Sequence, residues 1–325
     1  MTHPFAPYIQ MLGKGQRGSR DLTQQEAEQA MTMILSGQVE PIQLGAFLML
    51  MRVKEETPAE VAGFVQASRA ALTLPNNLPQ IDLDWSSYAG KRRQLPWYVL
   101  SALLLSSHGA KVLMHGVGGA GRVFVPHVLA ALGIKPANSA QDAADKIAKT
   151  NFAFVPLNVL NAELERILDL KTVLGLRSPV HTVIRMLNPF NAPTSIMGIF
   201  HPGYDETHQR AAALLGDHNL AVFKGEGGEA ERNPDALCKV RMLRAGQMLE
   251  EEWPALFASK HLKDEVMDVS RLAKLWRGEI EDEYGQAAVA GTAAIALRAL
   301  GRADSVAAAQ KMADELWQGR NRIYL

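Results

Sequence analysis

A single cysteine, Cys238, stands in 325 residues, which excludes an internal disulfide framework and makes a reducing, cytoplasmic setting the expectation. No run of about 18 apolar residues occurs, so a membrane span is not expected. The opening Met-Thr-His-Pro-Phe-Ala-Pro lacks the basic and apolar character of a signal peptide. Neither charge dominates, because 34 cations face 34 anions, and the overall balance does not advertise nucleic acid as a partner. Internal repeats and low-complexity tracts are also missing. What is present is the composition of a globular protein, 47% hydrophobic and with a mean hydropathy near zero, long enough for one large core or two domains.

Charge distribution is more informative than its sum. Acids gather late, at Glu250-Glu251-Glu252 and at Glu279, Glu281, Asp282 and Glu283, whereas early loops carry cations. The first such loop, residues 13–21, combines three glycines with Lys14, Arg17 and Arg20. Glycines let backbone amides approach an anion and cations supply the charge, yet a solvated loop fits the same residues.

The first 74 residues read as helical. Thr23-Gln24-Gln25-Glu26 and Thr57-Pro58-Ala59-Glu60 match the capping box, and Pro58 suits a first helical position. Between them, residues 41–52 are so nearly apolar that cover on most sides is expected. Pro75-Asn76-Asn77-Leu78-Pro79 reads as a linker. Beyond it, strands are expected at 81–85, 111–114, 152–155, 195–200 and 220–224, with helices between them. That alternation predicts a mostly parallel sheet covered on both faces. The last third returns to helix, notably at 284–300. The predicted division is a helical domain over 1–74, joined by helices from about 160–190, and an α/β domain over 75–325.

Residues 81–115 form a strand, loop, helix, strand unit whose first loop carries Lys91-Arg92-Arg93. In open α/β sheets ligands meet the loops that leave the carboxyl ends of strands, so these cations are candidates for an anion contact. Gly116, Gly118 and Gly121 satisfy G-x-G-x-x-G, but no acid at the right distance closes a following strand, and the dinucleotide reading carries little weight. A phosphate-accepting turn with Arg122 at its end stays open. Lys171, Arg177 and Arg185 punctuate an apolar run, where cations are more often paired or snorkelling than ligand-bound. His181 reads as structural, Cys238 as a small buried hydrophobe, and 225–231 as a loop. No set of nucleophile, base and orienting group emerges.

Taken with the helical beginning and the linker, Met114-His115-Gly116, Leu132-Gly133-Ile134, Leu174-Gly175-Leu176-Arg177 and Leu187-Asn188-Pro189 resemble the anthranilate phosphoribosyltransferase family, glycosyltransferase family 3. The resemblance spans nearly the whole chain. It implies a small N-terminal helical domain plus a larger α/β domain with a mostly parallel central sheet, the phosphoribosyltransferase and nucleoside phosphorylase-like architecture. The departures concern chemistry. The family's Gly-Thr-Gly-Gly-Asp diphosphate loop falls on Ser87-Tyr88-Ala89-Gly90-Lys91, and Lys-His-Gly-Asn-Arg falls on Met114-His115-Gly116-Val117-Gly118. The magnesium-bearing Asp-Glu pair falls on Glu229-Ala230, the anthranilate-binding arginine on Lys171, and Phe-Asn on Val180-His181.

A magnesium diphosphate needs carboxylates for the metal and a tight glycine loop for the oxygens. These losses resemble instead a second, non-enzymatic branch of the family, homodimers that bind single-stranded DNA without sequence preference. Ala89-Gly90-Lys91-Arg92-Arg93-Gln94, the opening from Gly13 to Leu22, and Arg122-Val123 fit that branch. The resemblance therefore implies a groove lined by Lys14, Arg17, Arg20, Lys91, Arg92, Arg93, Arg122, Lys171, Arg177 and Arg185. It implies a single-stranded nucleic acid and a second copy of the chain as partners, no membrane, and no catalytic residue, metal or cofactor. Tyr88 and Trp85 are candidates to stack on bases, with core packing the stronger reading for Trp85. Under the alternative, a transferase of phosphoribosyl diphosphate to an aromatic amine such as anthranilate, magnesium and that diphosphate would be required.

Overall fold

In the computed structural model, which describes residues 2–15 and 17–324, the helical beginning comprises α1 (Ala6–Gly13), α2 (Gln24–Leu35), α3 (Pro41–Lys54) and α4 (Pro58–Ala70). Both predicted capping boxes form. The amide of Glu26 donates to Thr23 Oγ1 at 3.2 Å and that of Glu60 to Thr57 Oγ1 at 3.3 Å, while each glutamate accepts in return from the threonine amide. The buried Glu60 carboxylate also receives Leu22 N and Lys54 Nζ, so one side chain ties the α1–α2 loop and α3 to the start of α4.

Cover on α3 is narrower than its composition suggested. Leu44, Phe47, Leu48 and Met51 are buried at helical spacing, but Ile42 is 82% exposed. Leu164, Ile167, Val180, Val183 and Ile184 join the core of this helical layer, alongside Phe47 and Phe64.

Seven strands make one sheet in the order β3-β2-β1-β4-β5-β6-β7. They are β1 (Leu83–Ser87), β2 (Val112–Gly116), β3 (Phe152–Pro156), β4 (Thr194–Ile199), β5 (Asn219–Lys224), β6 (Cys238–Arg244) and β7 (Gln247–Trp253). The first five run parallel and the last two antiparallel. The five parallel strands lie where the sequence predicts them, to within two residues. Strand β1 runs two residues later, because its register with β2 pairs Ser86 with His115 and Ser87 with Gly116. Residues 86 and 87, expected in a turn, are therefore ladder residues.

The hairpin β6–β7 was not legible, since Lys239, Arg241, Glu250 and Glu252 face outward and mask the inward alternation of Val240 and Met242. Its turn uses positive φ at Ala245 and Gly246, as a two-residue hairpin requires.

The alternation along β5 shows the layering. Leu220 and Val222 join the core under α4 and helix Tyr204–Leu215, whereas Ala221 and Phe223 join the core under α5 (Tyr98–Ser107) and helix Glu283–Ala299. Because β1, β2, β4 and β5 are parallel, the loops that follow them open on one edge of the sheet. Gly116 belongs to this close packing rather than to a ligand: a Cβ there would lie 2.0 Å from the Ser87 carbonyl oxygen. Among the described residues, no helix is long and apolar enough to cross a membrane.

Candidate functional site

The loop after β1 is fastened from several directions. Its Ala89 and Gly90 amides both donate to Glu229 Oε1, at 2.7 and 2.5 Å. Lys91 exchanges backbone hydrogen bonds with Val123, and Arg122 donates to the Ala89 carbonyl at 2.9 Å. Further on, Arg93 O accepts from the Asp264 amide, and Asp264 Oδ2 accepts from Leu95 N. Gly90 adopts a φ of +64° with its Cα against the Phe124 ring, a position open only to glycine without strain.

These fastenings split the cationic tripeptide. Lys91 is 1% exposed and pairs with Glu231 Oε1 at 2.5 Å, while Glu231 Oε2 takes the Tyr98 amide. Burial raises the Glu231 pKa, and the Lys91 charge and hydrogen bond oppose that rise. Lys91 is thus an internal staple and is left out of the exposed groove expected from the sequence. Arg92 and Arg93 are exposed.

Arg122, Lys171 and Arg177 come together with Arg92. The proton affinity of Arg122 is lowered by burial and then by Arg92 and Arg177, and that of Lys171 by burial and then by Arg177, Arg122 and Arg92. Arg177 is lowered by burial and by Arg52 of α3, a cation that sequence reasoning missed because it sits in an apolar helix. Glu229 opposes this lowering at Arg122, but cations outnumber carboxylates among the groups that act on one another here, and such a surface seeks anions.

The other expected residues are placed differently. Arg185 is 9% exposed and donates to the Gly198 and His181 carbonyls, with its pKa lowered to about 10, by burial above all. It is therefore a buried tie between segments, and is likewise left out of an exposed groove. Arg20 makes a two-pronged pair with Glu26, and Lys14 and Arg17 are exposed in the α1–α2 loop. Trp85 is fully buried and stacks on Tyr98, which leaves Tyr88 as the aromatic at the loop. The Tyr88 hydroxyl bonds His115 Nδ1 at 2.7 Å, and His115 Nε2 lies 3.3 Å from the buried Asp84 carboxylate. Cys238 is buried, which pushes its thiol up to about 12.

The residues present do not suit a magnesium diphosphate. Glu229, standing where the family has a metal carboxylate, is turned onto the amides of Ala89 and Gly90, so the backbone donors that could cradle a diphosphate already hold an internal anion. Its neighbour Ala230 brings no oxygen, and Glu226 pairs with Lys263. Sequence comparison could place Glu229 near a metal position, but only the fold shows which groups its carboxylate meets.

Two family models match the chain: the glycosyl transferase family helical bundle domain over residues 6–72 and its a/b domain over residues 98–320. The chain is 28% identical over 245 residues to the Escherichia coli (strain K12) protein "Uncharacterized protein YbiB", spanning 74% of this chain and 76% of that one. It is also 28% identical over 308 residues to the anthranilate phosphoribosyltransferase of Burkholderia cenocepacia, covering 91% and 89% of the two chains. Among solved structures, the anthranilate phosphoribosyltransferase of Thermus thermophilus superposes with a TM-score of 0.77 at 20% identity, over 95% of this chain and 94% of that one.

Proposed function

The chain belongs to the glycosyl transferase family whose helical bundle and α/β domains it carries, and from that premise we propose that it binds single-stranded nucleic acid, DNA first among them, without reading sequence. The observation that carries this reading is the convergence of Arg92, Arg122, Lys171 and Arg177 at the edge where the parallel strands end. Arg93 extends the same loop, and Arg52 borders it. Phosphates spaced along a strand satisfy such a row better than one compact ligand does, and the half-buried Tyr88 ring supplies a face for a base. Neither metal nor cofactor is needed. A second copy of the chain would join through the N-terminal helices, where α3 presents the exposed Ile42; sedimentation as a monomer alone would remove that part.

The test is a titration of labelled single-stranded and duplex oligonucleotides at two salt concentrations. Neutralising four phosphates should make log K fall with log salt at a slope of about −3 on single strands. Salt-independent binding, or none, would overturn the proposal. The second reading is phosphoribosyl transfer, which kinship with the Burkholderia enzyme favours. Magnesium-dependent consumption of phosphoribosyl diphosphate in the presence of anthranilate would establish it, against the internal anion at Ala89 and Gly90.

A further inference from the structure

One aromatic ring stands in solvent at the edge of the sheet where the cations gather. Phe200 follows directly on β4 and is 51% exposed, and among the described residues no other phenylalanine, tyrosine or tryptophan is exposed. Isolated aliphatic side chains are ordinary on a protein surface, but a phenyl ring left in water forgoes a large gain from burial. The backbone beneath the ring is fixed. Arg185 Nε donates to the Gly198 carbonyl and the Gly225 amide to the Ile199 carbonyl, each at 3.1 Å. The His201 ring stands at 84° to that of Phe200, with centroids 4.9 Å apart, and steadies it.

The neighbours of Phe200 tie it to the loop after β1. Gly228 lies between the two segments: a Cβ there would be 3.2 Å from Phe200 Cβ and 3.5 Å from Ala89 Cβ. The Ala89 carbonyl accepts from Arg122, and Phe200 shares the wall of a small cleft with Arg177. The ring therefore stands beside two members of the cationic cluster. Carboxylates are close as well. Glu56 lines the same cleft near Arg52, and Glu226, two residues before Gly228, pairs with Lys263. They disfavour a phosphate directly over the ring, so the occupant that fits there is flat and neutral, with its charge carried to one side.

We propose that Phe200 stacks on an unpaired base of the bound strand while the flanking phosphates meet Arg122 and Arg177, and that this contact makes the surface choose single strands over duplex. The assignment rests on the single-strand reading above and adds to it a contact that phosphate charge does not supply. In a duplex both faces of a base are already stacked, so the ring gains nothing there. On a single strand it covers a face that water would otherwise meet. Every base has such a face, so the contact brings no sequence preference. A ring with two side-chain torsions, on a backbone already held, also loses little freedom on binding.

Anisotropy titrations of single-stranded, duplex and abasic oligonucleotides with the parent, Phe200→Ala, Phe200→Leu and Phe200→Trp test it. Melting temperatures and sedimentation of each variant accompany the titrations. Phe200→Ala should bind the single strand about tenfold more weakly, bind duplex and abasic strand as the parent does, and keep the parent's salt slope, because no phosphate contact is removed. Phe200→Leu, apolar but not flat, should lose nearly as much. Phe200→Trp should bind the single strand at least as tightly as the parent, with its added indole emission quenched by the strand. A Phe200→Ala or Phe200→Leu variant that binds the single strand like the parent, or equal losses on strand and duplex, would overturn the stacking assignment while salt-dependent strand binding by the parent leaves the groove standing. So would a change in sedimentation of Phe200→Ala, which would give the ring to an interface between copies. Failure of the parent to bind any strand would overturn both readings.

Discussion

Two cationic loops, residues 13–21 and residues 88–94, carry three cations each and are unlike as structure. The first carries Lys14 and Arg17 into solvent on the helical unit and commits Arg20 to Glu26. The second is pinned by Glu229, Val123 and Asp264, buries one of its three cations against Glu231, and turns Arg92 toward Arg122 and Lys171. A cation's availability is decided by which carboxylate the fold sets beside it.

The sharpest way to break this contrast is at Lys91. Replacing it by methionine leaves Glu231 charged and without its partner in the interior, and should destabilise the fold by about 3–5 kcal/mol in chemical denaturation. The double variant Lys91→Met with Glu231→Leu should recover much of that loss. A Lys91→Met protein that melts like the parent but binds DNA weakly would show that the lysine belongs to the groove after all.

Next in size is the contrast between the loops themselves. Arg92→Ala with Arg122→Ala and Arg177→Ala should weaken single-strand binding by about 10²-fold at low salt and flatten the salt slope by about 2. Lys14→Ala with Arg17→Ala should change affinity by less than about threefold. Equal losses from the two sets, measured by fluorescence anisotropy, would dissolve the distinction.

The smallest effect concerns pH. His181 and His208 stay neutral in the fold, with burial the main cause and pKa values lowered to about 3 and about 4. As pH falls below 6.5 the unfolded chain gains protons that the folded chain refuses until those lower values, so their contribution to stability is lost progressively over that window. The buried Glu229 and Glu231, whose pKa values are raised by burial, pull the other way. Comparison with His208→Gln isolates the histidine: its melting temperature should fall less than the parent's between pH 6.5 and 4.

Much of the scaffold was legible. Thr23 and Thr57 announced their helices because a cap is a local event, completed within three residues. Most of the parallel strands were legible because strands covered on both faces read as largely apolar runs, although β1 and β4 also bury Asp84, Ser86, Ser87, Thr194 and Ser195. Strands β6 and β7 were hidden because one face of an edge hairpin carries charge, and their inward residues are spaced too widely to stand out. Arg92, Arg122, Lys171 and Arg177, which act on one another in the fold, were named together only through the family resemblance, and Lys171 lies in a short helix. Arg52 was missed, and Glu229 was noted only as what is left of the family's metal pair, since each meets partners distant in the chain.

By itself, then, the sequence determined the helical beginning, the α/β alternation, the family resemblance and the replacement of an acidic diphosphate loop by cations, all of which depend on residue type and short spacing. The tertiary structure alone decided that Lys91 points inward while Arg92 faces out, and that Glu229 takes the amides of the loop after β1. The reason is geometric. Glu229 and Glu231 lie about 140 residues from the groups they hold, and such encounters are set by strand order and register, which residue spacing does not encode.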